Sequence, residues 1–262
     1  MTLPPELLEA IVARPDDRSA YLVAADWLTS QGEPWGELIS AQARLQGETD
    51  PATFLAVRRR ADELLRAHAQ RWLGADVDAE WRWGFVERLS LPELGALPRL
   101  LASEVGRLAR ELALEGPPLQ LAAALASLAK PGAMPRLEAL TLRGAGRVDV
   151  ALPPVRRLDV TGLTLDWARL PSALEALSLR DLRDGALGPW LERHAPPTLA
   201  RLELLELDLP HPALREVIER QRALQTLHVE DDLPDELARW LARSPALARL
   251  EHLALGGPAT DE

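Results

Sequence analysis

The chain has 262 residues, 47% of them hydrophobic and only 4% aromatic, with a formal net charge of −10 and no cysteine. That length suits one elongated domain or two compact ones. The missing cysteine excludes disulfides, thiolate metal sites and cysteine nucleophiles. Residues 1–80 hold 14 acidic and 8 basic side chains and residues 81–262 hold 26 and 22, so neither part has the basic excess of a phosphate-binding surface.

The opening stretch lacks the basic and apolar regions of a secretory signal. The longest apolar run, LQLAAALASLA at 119–129, falls short of the roughly 20 residues that cross a bilayer. A soluble, cytoplasmic protein is expected.

Helical spacing comes first in the chain. Leu7, Leu8, Ile11 and Val12 follow Pro4-Pro5, a good helix start. Asp16 or Asp17 offers a side-chain acceptor to a second helix carrying Tyr21, Leu22, Ala25 and Leu28, which Gly32 ends. A third helix opens near Pro34 and buries Leu38 and Ile39, and a fourth spans roughly 51–73. Arg58–Arg60 lies on that fourth helix and reads as a solvated face. Asp26 and Glu37 are expected to hydrogen-bond between helices, with Trp27 and Trp35 packed as core.

ELLEAIVARPDDRSAYLVAADWLTSQGEPWGELISAQARL, followed by RWLG at 71–74 and WRWGFVERLSL at 81–91, resembles the repeat-companion domain of myxobacterial and planctomycete proteins with leucine-rich repeats. Ala24 and Trp35 depart from it, standing where relatives commonly have an aromatic residue and an arginine. The resemblance covers the first third of the chain. It implies a companion to repeats and no reaction.

From residue 86 a second pattern recurs: VERLSL, ARELAL, LEALTL, VRRLDV, LEALSL, LARLEL, LQTLHV and LEHLAL. Their central leucines are Leu89, Leu112, Leu140, Leu158, Leu177, Leu202, Leu227 and Leu253, spaced by 23, 28, 18, 19, 25, 25 and 26 residues. That is close to the period of leucine-rich repeats, each a strand plus a returning segment. The expected fold is α/β: an N-terminal α-helical domain at 1–80, then a leucine-rich-repeat solenoid of about eight strands at 81–262. Its parallel sheet lines a concave face, and its convex side mixes helical and extended segments. Helices are expected within 119–129, 185–195, 212–221 and 234–243. Proline keeps 151–155 and 169–173 extended. The asparagine that usually follows the strand in such repeats is missing, with Ala145, Leu163 and Leu182 in its place, so less regular turns are expected.

Side chains alternate along a strand. Arg88, Arg157, Arg201 and His252 therefore share one outward row, Asp159, Ser178, Glu203 and His228 a second, and Arg143, Thr161, Arg180 and Glu230 a third. These twelve residues are the candidate partner-binding set, since arginine is favoured as an interface anchor. His228, Glu230 and His252 have zinc-ligand chemistry but read as solvated surface. No nucleophile elbow or phosphate loop is present, so no catalytic residue, metal or cofactor is assigned. The expected function is a non-catalytic protein-interaction module. One alternative is an adaptor or regulatory subunit docking through the helical domain, and another is a hydrolase or transferase with a site near Trp81–Glu87. The final strand is expected to be an exposed edge open to self-association.

Overall fold

A computed structural model describes residues 3–74, 77–182, 187–207, 211–230 and 239–256. The protein is α/β. Its strands are β1 (Asp78–Arg82), β2 (Phe85–Leu91), β3 (Glu111–Glu115), β4 (Ala139–Val148), β5 (Arg157–Leu165), β6 (Ala176–Arg180), β7 (Arg201–Leu205), β8 (Thr226–Glu230) and β9 (His252–Gly256). They form one nine-stranded sheet in chain order. β1 and β2 are antiparallel, and the pairs from β4 to β9 are parallel. No described helix is long and apolar enough to cross a membrane.

The chain divides into two compact units, residues 1–112 with 131–137, and residues 113–130 with 138–262. The first unit therefore reaches past residue 80. Its helices are α1 (Pro5–Ala13), α2 (Arg18–Ser30), α3 (Pro34–Leu45), α4 (Pro51–Leu73) and the short α5 (Leu97–Ala102). Proline opens α1, α3 and α4, where its missing N–H costs nothing. The Asp17 carboxylate accepts from the Ser19 amide at the start of α2, and the Asp50 carboxylate from the Thr53 amide at the start of α4. Gly74, left-handed at φ 71°, ends α4, a conformation that glycine adopts without a Cβ penalty.

The β1–β2 hairpin was not foreseen, and β1 raises the strand number above the expected eight. Its two-residue turn is Trp83-Gly84, both with positive φ, 50° and 72°, the geometry that matches strand twist. α3 holds this turn: the Trp35 Nε1 donates to the Gly84 carbonyl (2.6 Å) and the Gly84 amide donates to the Gln42 side chain (2.8 Å). Phe85 then packs against Tyr21 (ring centroids 5.1 Å apart) and Trp35 (5.0 Å). β2 accordingly joins the helical unit, because its first inward side chain meets aromatic helix residues. Arg136 is 5% exposed. It lies 5.3 Å over the Phe85 ring and donates to the Tyr21 hydroxyl (3.1 Å), which brings residues 131–137 into the same unit.

In the second unit, Leu158, Leu177, Leu202 and Leu227 are matched in register from β5 to β8, and all are buried. The returning segments include α6 (Pro118–Leu128), α7 (Leu187–His194) and α8 (His211–Arg220). Residues 151–155 form no helix; of 169–173, Arg169 ends a single 3-10 turn at Trp167–Arg169 and 170–173 form no helix. Half of the helix expected at 234–243 lies outside the described residues, and 239–241 are helical.

Main-chain hydrogen bonds tie turns that leave the strands. Asp181 and Glu206 directly follow Arg180 and Leu205, the last residues of β6 and β7, and have φ of 51° and 55°. The amides of Gly116, Asp181 and Glu206 donate to the carbonyls of Arg143, Leu205 and Glu230, at 3.1, 3.1 and 2.9 Å. Leu182 and Leu207, which follow two of these amides, are buried apolar residues.

Candidate functional site

The strand registers settle which outward side chains are neighbours in the second unit. Arg157 pairs with Ala176, then Arg201, Thr226 and His252. Asp159 pairs with Ser178, Glu203, His228 and Ala254, and Thr161 with Arg180, Leu205, Glu230 and Gly256. On the other side, Thr141 and Arg143 of β4 stand beside Asp159 and Thr161. The rows read from the sequence are therefore present along β4–β9, on the face opposite the leucines. One member of the set stands apart. Arg88 belongs to the first unit and is held by Glu80 (3.0 Å) and Glu111 (2.9 Å). Its guanidinium is kept charged by the Glu111 hydrogen bond first of all, and its donors are largely used within the unit.

Two further arginines on the face have acidic neighbours. Arg201 meets Glu203 at 2.7 Å and Arg180 approaches Glu206 at 3.7 Å. These pairs are exposed and hold the guanidinium groups loosely.

Asp159 is different. It is half-buried in the middle row, and no hydrogen bond or ion pair engages its carboxylate among the described residues. Burial pushes its carboxyl above the ordinary range. Arg143 and Arg180 pull it down and Glu203 pushes it up, with burial prevailing. A desolvated acceptor in that position favours a cationic donor from outside.

His228, Glu230 and His252 do not converge. Registers place His252 beside Thr226, His228 beside Ala254 and Glu230 beside Gly256. No cluster of three or more metal-ligating side chains exists among the described residues.

The first unit holds a cleft that the sequence reading missed. It encloses about 410 Å³ between Trp35 and Trp72 on the apolar side and Arg71, Arg99, Glu33 and Glu104 on the polar side. The Ser103 hydroxyl donates to the Trp72 carbonyl and accepts from the Gly106 amide (3.1 Å), fixing the α5 end against α4. Glu104 accepts from the Leu3 amide (2.7 Å). Burial raises its carboxyl above the usual range, against the lowering effect of that bond and of Arg107. Only RWLG at 71–74 hinted at this place, since α2, α4 and α5 come from distant parts of the chain.

Near Trp81–Glu87, Asp16 meets Arg82 (3.0 Å) and Arg110 (3.3 Å), and Arg110 also meets Glu87 (3.3 Å). Burial raises the Asp16 carboxyl, but the two arginines outweigh it and hold it low. A carboxylate kept ionised by two cations cross-links strands and is poorly placed to carry a proton. Glu37 binds across helices as expected, to Arg60 (2.6 and 2.8 Å). Asp26, by contrast, is exposed and makes no such bond among the described residues, and Trp27 is only half-buried. The α2 face carrying Asp26 points to solvent, so the expected tie from Asp26 is corrected to one from Glu37 alone.

No family model, no curated protein and no solved structure matches this chain. Its functional reading therefore rests on the geometry above.

Proposed function

We propose that the chain is a leucine-rich-repeat solenoid preceded by a repeat-companion domain, and that it works as a non-catalytic, cytoplasmic protein-interaction module. The concave face carries Arg143, Arg157, Arg180 and Arg201 around Asp159, Ser178 and Glu203. The observation that carries the reading is the half-buried Asp159 carboxylate, which lies within in-register rows of polar side chains and has no hydrogen bond or ion pair of its own among the described residues. Arginine forks offer planar donors to a partner's carboxylates and carbonyls, and Asp159 accepts a partner's cation. Such a cation favours the ionised carboxyl, so binding strengthens as pH rises through the Asp159 pKa.

The test is affinity purification from the native cell with mass spectrometry, comparing the wild type with an Arg157→Ala/Arg180→Ala/Arg201→Ala variant. A partner lost from the variant at unchanged melting temperature supports the reading. A partner retained at full yield sinks it.

The cleft of the first unit favours a second reading, an adaptor that docks through its helical domain. Arg71→Ala/Arg99→Ala would then abolish capture while the sheet-face variant keeps it.

A further inference from the structure

β9 differs from the strands before it. On β4–β8 the two core-facing side chains of each strand, from Leu140 and Leu142 to Leu227 and Val229, are at most 3% exposed. On β9 the equivalent Leu253 and Leu255 are each 39% exposed. β9 ends the sheet order, and β8 is its only strand neighbour among the described residues. The His252 amide donates to the Gln225 carbonyl (3.1 Å). Main-chain groups alternate in direction along a strand, so those of Ala254 and Gly256 also turn toward β8. Those of Leu253 and Leu255 point outward. The strand reads HLALG. It has no lysine, proline or acidic residue of the kind that guards an open edge.

We propose that β9 pairs antiparallel with β9 of a second copy of this chain, about a two-fold axis through Ala254. This register sets His252 opposite Gly256, Leu253 opposite Leu255 and Ala254 opposite itself, and no other symmetric register pairs all five residues. It also opposes the two residues whose N–H and C=O groups face outward, so Leu253 and Leu255 form the hydrogen-bonded pairs. The Ala254 pair falls at the non-hydrogen-bonded position, where side chains come closest. A methyl group suits that spacing. On the core side each Leu253 lies against Leu255 of the other copy, covering the apolar surface that the strand exposes. The occupant is a second copy because the strand is its own complement: the same patch serves both sides, as a two-fold interface requires. One strand ladder and four partly exposed leucines are small beside the roughly 1,200–2,000 Å² of a stable interface. The dimer is accordingly weak and concentration-dependent.

Sedimentation equilibrium of the full chain, from low micromolar to near-millimolar concentration, tests this. A monomer–dimer equilibrium is expected, and a strict monomer across the range overturns the proposal. Ala254 lies on the open, exposed face of its strand, so charge there leaves the fold intact, which matching melting curves check. Ala254→Glu and Ala254→Lys each place like charges at the axis and weaken the dimer about fivefold or more. Mixing the two in equal amounts restores dimerisation through opposite charges. An Ala254→Glu protein that dimerises like the wild type, or a mixture that shows no rescue, overturns the register.

Discussion

In the first unit Phe85 is enclosed by Tyr21, Trp35 and the Arg136 guanidinium, contacts not repeated elsewhere among the described residues. In the second unit Leu158 stands beside Leu177, Leu177 beside Leu202 and Leu202 beside Leu227, one contact made repeatedly. A core of unlike side chains depends on each member, because no neighbour has the shape to replace it. A core of repeated leucines spreads the same burial over equivalent positions, each touching only its neighbours. Tyr21, Trp35, Trp72, Trp83 and Phe85 are buried in the first unit, while the second buries Trp167 against Trp190, ring centroids 5.9 Å apart.

The largest expected effect probes the singular core. Phe85→Ala costs about 3–5 kcal/mol in urea unfolding; a loss below 1 kcal/mol would erase the contrast. Leu177→Ala and Leu202→Ala should each cost about 2–5 kcal/mol. Near-equality of the two in chemical denaturation sharpens the claim of equivalence, and a wide gap breaks it.

Gly36→Ala should destabilise the α2–α3 contact by about 1–3 kcal/mol, read as a lowered urea midpoint. Its added Cβ would meet the Ala25 carbonyl at 2.6 Å and the Thr29 amide at 2.7 Å. Both are backbone atoms that cannot swing aside, so the clash outweighs the better helix propensity of alanine.

Smaller effects fall on the open face. The Asp159 carboxyl is raised by burial, so its share of stability is full below the unfolded pKa of about 3.9 and is lost as pH rises through the folded value. Asp159→Asn should therefore gain stability relative to wild type over that rise and hold the gain above it, as pH-dependent melting would show. Last, Arg157→Ala and Arg180→Ala should each change stability by less than about 0.5 kcal/mol. A larger loss would mean that the face is structural.

The two regions were also unequally legible in the sequence. Strands β2–β9 each carry the recurring leucine frame, and period-2 alternation then fixes the outward rows, so the sheet-face residues could be named in advance. β1 could not: DAEWR has no leucine, and a register shift between Glu80 and Trp81 interrupts its pairing with β2. That the first compact unit runs past residue 80 was hidden for a related reason. VERLSL has the repeat's pattern, but Phe85 beside it packs on α2 and α3, and pattern does not show what a side chain will meet. The cleft could not be named in advance because its walls come from residues 28–35, 71–74 and 99–105, brought together only by folding. The contact of Arg88 with Glu80 was not foreseen either, because Glu80 lies on β1.

The backbone ties at Gly116, Asp181 and Glu206 bear on how such a chain is inherited. A fastening made by a side chain must be preserved letter by letter, and one lost asparagine opens a seam. Here the fastening is an amide and a carbonyl, which almost every amino acid supplies. Glycine, aspartate and glutamate all make the tie, Asp181 and Glu206 from a positive φ of 51° and 55°. Mutation can change these positions without undoing the bond, and a duplicated unit brings its own fastening with it. The stack of strands is thus encoded mainly by leucine spacing, leaving the turns open to drift.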